Sequence, residues 1–242
     1  MCSHERSGTH FLMNTIGHNS IYCSNPWVDF DIHPLAAILN FHSPRSISSF
    51  FEALYNIHCA SLVKSHFPAC FFYLRNDFFL KNNIKFVYIY RNPVDVMISY
   101  KRFIDTCPWS EGPKKSTVAE FALSAPEGQM MRYQNSQESS LVARWEDHVS
   151  GWLKAAERED NVLCVSYHDL KDDFENEHAR IFSFLELPRD HKPIYPDYHR
   201  DVIEVDVGQA VEGVDRRRLE HKVYHLIRSD RLRTFCRATF SS

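Results

Sequence analysis

Residues 85–103 read KFVYIYRNPVDVMISYKRF, and they decide how this chain folds. Positions 85–90 are β-branched and aromatic and lie between Asn82-Asn83 and Asn92-Pro93, so they predict a strand closed by turns. Pro93 suits the first turn of a helix, where its missing N–H would have no partner anyway. Positions 94–103 continue that helix. Arg91 stands at the strand end and Ser99 follows eight residues later, about 12 Å along the helix at about 1.5 Å per residue. If the chain folds back at Asn92-Pro93, a guanidinium fork and a hydroxyl reach one anion. The alternative is that Arg91 pairs with Asp95 on its own helix turn.

Two further motifs precede this unit. Residues 3–12 read SHERSGTHFL. Ser7, Gly8 and Thr9 predict a tight turn ahead of a helix over 9–22, and backbone N–H groups gathered at a helix N-terminus bind phosphate or sulfate. Arg6 adds a fork of donors for the same oxygens. The nucleotide-triphosphatase pattern GxxxxGK[ST] is absent, so the shorter loop suits a phosphosulfate better than a triphosphate. The plain alternative is a helix cap. Residues 63–68 read VKSHFP after an apolar strand at 61–64. There His66 can take a proton near neutral pH and Lys64 can neutralise charge on a departing oxygen, or His66 is simply structural.

Further helices are predicted over 46–57, capped by Ser46, and over 71–82, 139–156, 173–187 and finally 215–227, with a strand at 162–165. Trp145, Val149 and Trp152 recur at helical spacing in the third of these. Residues 106–137 hold Pro108, Gly112, Pro113, Pro126 and Gly128 and predict an irregular, mobile segment or lid, and 188–213 reads as loop. Strands alternating with helices predict a single α/β domain over 1–242, a mainly parallel sheet flanked by helices on both faces.

Composition narrows the function classes. The formal charge of −3 over 242 residues argues against a nucleic-acid binder, which needs a basic surface. Charge is uneven: residues 169–177 hold five acids and one lysine, and 215–237 hold eight Arg/Lys against three acids; both read as solvated helix faces. Seven scattered cysteines without a CxxC predict reduced thiols in a cytoplasmic protein. The polar start carries no secretory signal, and no apolar run is long enough to span a bilayer. His58, Cys59, His66 and Cys70 match no zinc spacing, so no metal is expected.

SHERSGTHFL, VKSHFP and YRNPVDVMISYKRF, in this order, resemble the motifs of the sulfotransferases that use 3′-phosphoadenosine 5′-phosphosulfate (PAPS). RWEDHVSGWLKA at 144–155 and VLCVSYHDLKDDF at 162–174 are similar to two later segments of that family. The resemblance covers positions 2 to about 187 and implies a P-loop-like nucleotide-binding fold. It implies that the backbone of Arg6, Ser7, Gly8, Thr9 and His10 holds the 5′-phosphosulfate, with Arg6 where the cytosolic enzymes have lysine. It places Phe11 and Tyr167 at the adenine, Arg91 and Ser99 on the 3′-phosphate, His66 as base and Lys64 at the transition state. The implied chemistry is in-line transfer to a small acceptor without metal or covalent intermediate, leaving 3′-phosphoadenosine 5′-phosphate (PAP).

The chain departs from the pattern in three places. The family's C-terminal RKGxxGDWK is missing, and Arg216, Arg217 or Arg218 in GQAVEGVDRRR at 208–218 is the nearest substitute. Only positions 1–4 are available for a strand before the loop. His10 stands where threonine is usual. The family's dimer motif falls in the divergent region 188–242, so no oligomeric state is assigned. The aromatic content suits phenolic acceptors, whereas Asp105, Glu111, Glu138 and Asp147 read as spare acids for a cationic alcohol or amine, such as the guanidinium alkaloids of the saxitoxin type that tailoring sulfotransferases modify. An ATP-dependent small-molecule kinase and an inactive nucleotide-binding module are the competing readings.

Overall fold

A computed structural model describes residues 1–29, 31, 49, 52–53, 61–72, 74, 77–134, 136–196 and 215–238, with 23–29, 61 and 78 given by backbone alone. Its strands are β1 (Cys2–Ser3), β2 (Cys23–Asp29), β3 (Ser61–Lys64), β4 (Phe86–Tyr90) and β5 (Val162–Ser166). β2 pairs with β3, β1 with β4 and β4 with β5, all parallel. β1 is only two residues long, yet it joins the two halves. A parallel bridge links Cys2 to Ser65, and Ser65 N–H donates to Met1 O at 2.9 Å while Ser3 N–H donates to Ser65 O at 3.2 Å. The strands therefore run in the spatial order β2, β3, β1, β4, β5.

The helices are α1 (Thr9–His18), α2 (Asp77–Lys81), α3 (Pro93–Thr106), α4 (Val118–Leu123), α5 (Leu141–Ala156), α6 (Tyr167–Asp172), α7 (Phe174–Phe184), α8 (Arg216–Leu226) and α9 (Asp230–Ala238). β4 shows why the layers form. Phe86 and Tyr88 join one apolar cluster, with residues of α3, α4, α5, α8 and α9. Val87 and Ile89 join a second cluster, with residues of α1, α6 and α7. A strand buried on both faces needs apolar residues at every position, as in parallel sheets.

The expected α/β architecture stands, with local differences. α1 ends at His18, not at 22. The expected helix over 71–82 is a 3-10 turn at Ala69–Phe71 followed by the short α2. Within 106–137, Phe121 and Met130 are fully buried, and α4 begins with a reciprocal capping box between Thr117 and Glu120. The helix from 216 is followed by α9, so it is not the last. The expected helix at 46–57 and the loop beyond 196 lie outside the described residues, single positions at 49 and 52–53 aside. Among the described residues no helix is long and apolar enough to cross a membrane, and Cys2, Cys107 and Cys164 carry free thiols.

Candidate active site

The loop after β1 packs tightly. Arg6 lies in the left-handed region at φ 64°, and Gly8 follows at φ 99°. Ser7 N–H closes the turn on His4 O at 3.3 Å. α1 then starts at Thr9, and its first N–H groups have no partner within the helix. Ser7 is fully buried, and its hydroxyl has no hydrogen-bond partner. Thr9 Oγ1 lies 2.5 Å from Ser3 Oγ.

At one end of this loop the cations gather. Arg6 Nε donates to Ser99 Oγ at 3.1 Å, joining residues 93 positions apart. The Arg6 guanidinium also lies 5.4 Å from the centre of the Phe103 ring. Burial, and then the charges of Arg91 and Arg102, depress the Arg6 pKa. Arg91 stacks over Tyr167, with Cζ 4.4 Å from the ring centre, and its buried Nε has no hydrogen-bond partner. Tyr167 itself begins α6 against Gly8. Arg91 and Arg102 thus each repel Arg6, and a multiply charged anion would relieve that repulsion.

Asp95 only partly offsets this charge. Its Oδ2 is 3.9 Å from Arg91 Nε and 3.4 Å from His168 Nε2, and its Oδ1 is 2.9 Å from Arg216 Nη1. Burial opposes the Asp95 charge, but His168, Arg91 and Arg216 hold its pKa down to about 2. Arg91 thus has the carboxylate neighbour expected on its own helix turn, and its charge also bears on Arg6. All three arginines at the start of α8 are exposed, and Arg216 reaches the site through its pair with Asp95.

At the other end stands His66. Its Nδ1 lies 3.0 Å from Ser3 O and 3.2 Å from Ser3 Oγ. A carbonyl can only accept, so Nδ1 carries the proton and Nε2 keeps its lone pair. Burial, then the charge of Lys64 at the end of β3, push the His66 pKa well below the ordinary imidazole value. The peptide is clamped by Asp31, which accepts from His66 N–H at 2.8 Å and from Ser65 Oγ at 2.7 Å. Tyr133 faces the imidazole with ring centres 5.6 Å apart and also packs on Phe67 at 5.3 Å.

α5 ties two of the site's loops together. Trp145 Nε1–H donates to Arg91 O at 3.2 Å, His148 Nε2–H to His66 O at 2.9 Å, and Trp152 Nε1–H to Phe67 O at 3.3 Å. His148 Nδ1 accepts from the Tyr88 hydroxyl at 2.9 Å, and burial, then His4, push its pKa down to about 3. It is therefore neutral and fixed in one tautomer.

The structure brings together Arg6, Ser7, Gly8, Thr9, Arg91, Ser99 and Tyr167, with Lys64 and His66 on the far side of the same loop. His10 is half-buried on the first turn of α1. Phe11 is 2% exposed and packs 5.8 Å from Tyr167 and 5.5 Å from Tyr195, ring centre to ring centre. Among the expected spare acids, Asp105 pairs with Lys101 at 2.6 Å, and Glu111 accepts from Trp109 at 2.8 Å and from Arg132 at 3.2 Å. Sequence reading missed Asp31, Tyr133 and the Glu5–Arg144 pair. Nothing local marks them, because each acts across a long sequence gap. Among the described residues no group of three or more His, Cys, Asp or Glu side chains is placed to hold a metal ion.

Comparison with known proteins gives a consistent picture. The family model described as "Sulfotransferase domain" matches residues 1–202. Sulfotransferase 1 family member D1 of Rattus norvegicus is 32% identical over 135 residues, 56% of this chain and 40% of the rat protein. Amine sulfotransferase of Oryctolagus cuniculus is 30% identical over 125 residues, 52% of this chain and 36% of the rabbit protein. Sulfotransferase 2A2 of Mus musculus is 27% identical over 213 residues, 88% of this chain and 59% of the mouse protein. The chain thus spans from about a third to three-fifths of the length of these relatives. A crystal structure of mouse sulfotransferase SULT7A1 complexed with PAP superposes with a TM-score of 0.53 at 21% identity, covering 78% of this chain and 58% of that one, and shares the fold.

Proposed function

The chain belongs to the sulfotransferase family by its match over residues 1–202, and from that premise we propose that it transfers a sulfuryl group from PAPS to a hydroxyl or amine of a small acceptor and releases PAP. One observation carries the reading: Arg6 on the phosphate loop bonds Ser99 at 3.1 Å, so two separated motifs form one anion site. The 5′-phosphosulfate lies against the backbone of Arg6, Ser7, Gly8, Thr9 and His10 at the N-terminus of α1. Arg91, Ser99 and the Arg6 side chain take the 3′-phosphate, and Phe11 and Tyr167 border the adenine.

His66 Nε2 accepts the acceptor's proton as the new bond to sulfur forms. The bond from sulfur to the phosphate oxygen breaks, and its electron pair leaves with PAP. Lys64 offsets the charge growing on that oxygen. Rate gain comes from positioning and charge, as in phosphoryl transfer. The paired state of Asp105 and Glu111 and the rings of Tyr133 and Phe67 beside His66 favour a flat phenolic acceptor over a cationic one. Free thiols at Cys2, Cys107 and Cys164 fit a cytoplasmic location.

Thermal unfolding with PAP and with ATP plus Mg²⁺ tests the donor. PAP is expected to raise the unfolding temperature and ATP to leave it unchanged; the reverse would establish the kinase reading. Turnover of PAPS with a panel of phenols, amino alcohols and guanidinium alcohols then tests the chemistry. Phenols should turn over fastest, and no turnover at all with PAP bound would leave an inactive binding module.

Arg216 is the arginine of the α8 basic run that we place at the 3′-phosphate end, beside Asp95. Its pair with Asp95 is 2.9 Å long but 46% exposed on the arginine side, so solvent screens it. Arg216→Ala should raise the PAP Kd about threefold, within the range of exposed ion pairs, and by more than Arg218→Ala does. Equal losses in an isothermal titration would mean that the basic run acts only as diffuse charge.

A further inference from the structure

Beneath the phosphate loop lies a charged network that the chemistry above does not use. Glu5 is 6% exposed and Arg144, on α5, is 2% exposed. Arg144 Nη2 donates to Glu5 Oε1 at 2.6 Å and Nη1 to Glu5 Oε2 at 3.0 Å, a bidentate pair. The Tyr100 hydroxyl, on α3, donates to Glu5 Oε1 at 3.0 Å. Arg144 also donates to His4 Nε2 at 2.8 Å and to Met130 O at 3.2 Å, and His4 Nδ1–H returns to Glu5 O at 3.0 Å. Burial opposes the Glu5 charge, but Arg144 and His4 hold its carboxyl well below the usual range.

Two buried charges are a poor source of stability, because apolar side chains of similar volume often serve as well. What the pair does supply is direction. Glu5 immediately precedes Arg6, a non-glycine residue held at φ 64°, and such a conformation persists only where its surroundings over-determine it. The Glu5 side chain is anchored on Arg144, and the Arg6 side chain on Ser99. An unpaired carboxylate at position 5 would also repel an anionic donor, and Arg144 neutralises it.

We propose that Arg144, acting through Glu5, is a positioning residue for the donor nucleotide: the bidentate pair fixes the Glu5–Arg6 peptide, and with it the Arg6 guanidinium and the loop N–H groups, before the nucleotide arrives. This rests on the PAPS reading above. It makes α5 the common scaffold of the site, since the same helix bonds the Arg91 and His66 peptides.

The test titrates PAP into the wild type, Tyr100→Phe and the double variant Glu5→Gln/Arg144→Met, well below each unfolding temperature. The double variant removes both charges together and keeps an acceptor for Tyr100, so it should unfold within a few degrees of the wild type. Its PAP Kd should nevertheless rise at least about tenfold, the loss expected when preorganisation goes. Tyr100→Phe removes one hydrogen bond and no charge, and should raise Kd about threefold with KM following and kcat little changed. Wild-type PAP affinity in both variants overturns the proposal, and if the double variant fails to fold, Tyr100→Phe decides alone. A wild type that binds no PAP would sink the donor reading instead, and would show it before any variant is made.

Discussion

His66→Ala is expected to lower turnover of PAPS about 10²- to 10⁴-fold, the range of a lost general base, with PAP affinity little changed. Removal of the ring leaves the loop in place, because Asp31 holds its peptide N–H at 2.8 Å and His148 bonds its carbonyl at 2.9 Å. What is lost is the Nε2 lone pair, which exists only because Nδ1–H is committed to Ser3 O at 3.0 Å. The pH dependence follows from the same geometry. Burial and Lys64 depress the pKa, so the base is already deprotonated at neutral pH. Activity should hold as pH falls through about 6.5, the ordinary imidazole value, and decline only below it. As pH rises nothing is lost from this group. A His66→Ala enzyme with unchanged kcat, or an acid limb above that ordinary value, would remove His66 as the base.

The strand, turn and helix that carry Arg91 and Ser99 were legible because they are set by local chemistry. Asn92 caps α3 by accepting from Val94 N–H at 2.9 Å, and Pro93 begins the helix. The partner of Ser99 was not legible: Arg6 lies 93 positions away, and no periodicity reports such a distance. On α5 the spacing of Trp145 and Trp152 reads as a core stripe, and both are fully buried. Periodicity records that burial but not where an indole N–H points, so their bonds to the Arg91 and Phe67 carbonyls came only from the structure. Within 106–137 the Thr117-x-x-Glu120 capping signature stands in the sequence, and both halves of that box form at the start of α4.

Gly8→Ala should raise the PAP Kd at least about tenfold, or about 1.4 kcal/mol, a loss of the same order as the roughly 1–2 kcal/mol left-handed penalty. Gly8 sits at φ 99°, and a Cβ there would lie 2.3 Å from Tyr167 Cδ2. The tyrosine has little room to yield, because Arg91 lies over its face at 4.4 Å and Phe11 meets it edge-on at 5.8 Å. Relief must therefore come from the loop, which turns its N–H groups, or from Tyr167, which releases Arg91. Either movement damages the donor site at one of its two ends. Gly151→Ala is the control: it sits within α5 with nothing within 4 Å of an added Cβ, and alanine favours a helix by about 0.5–1 kcal/mol, so PAP affinity should not change. If Gly8→Ala binds PAP as the wild type does and unfolds at the same temperature, the loop between β1 and α1 is not where the phosphosulfate sits.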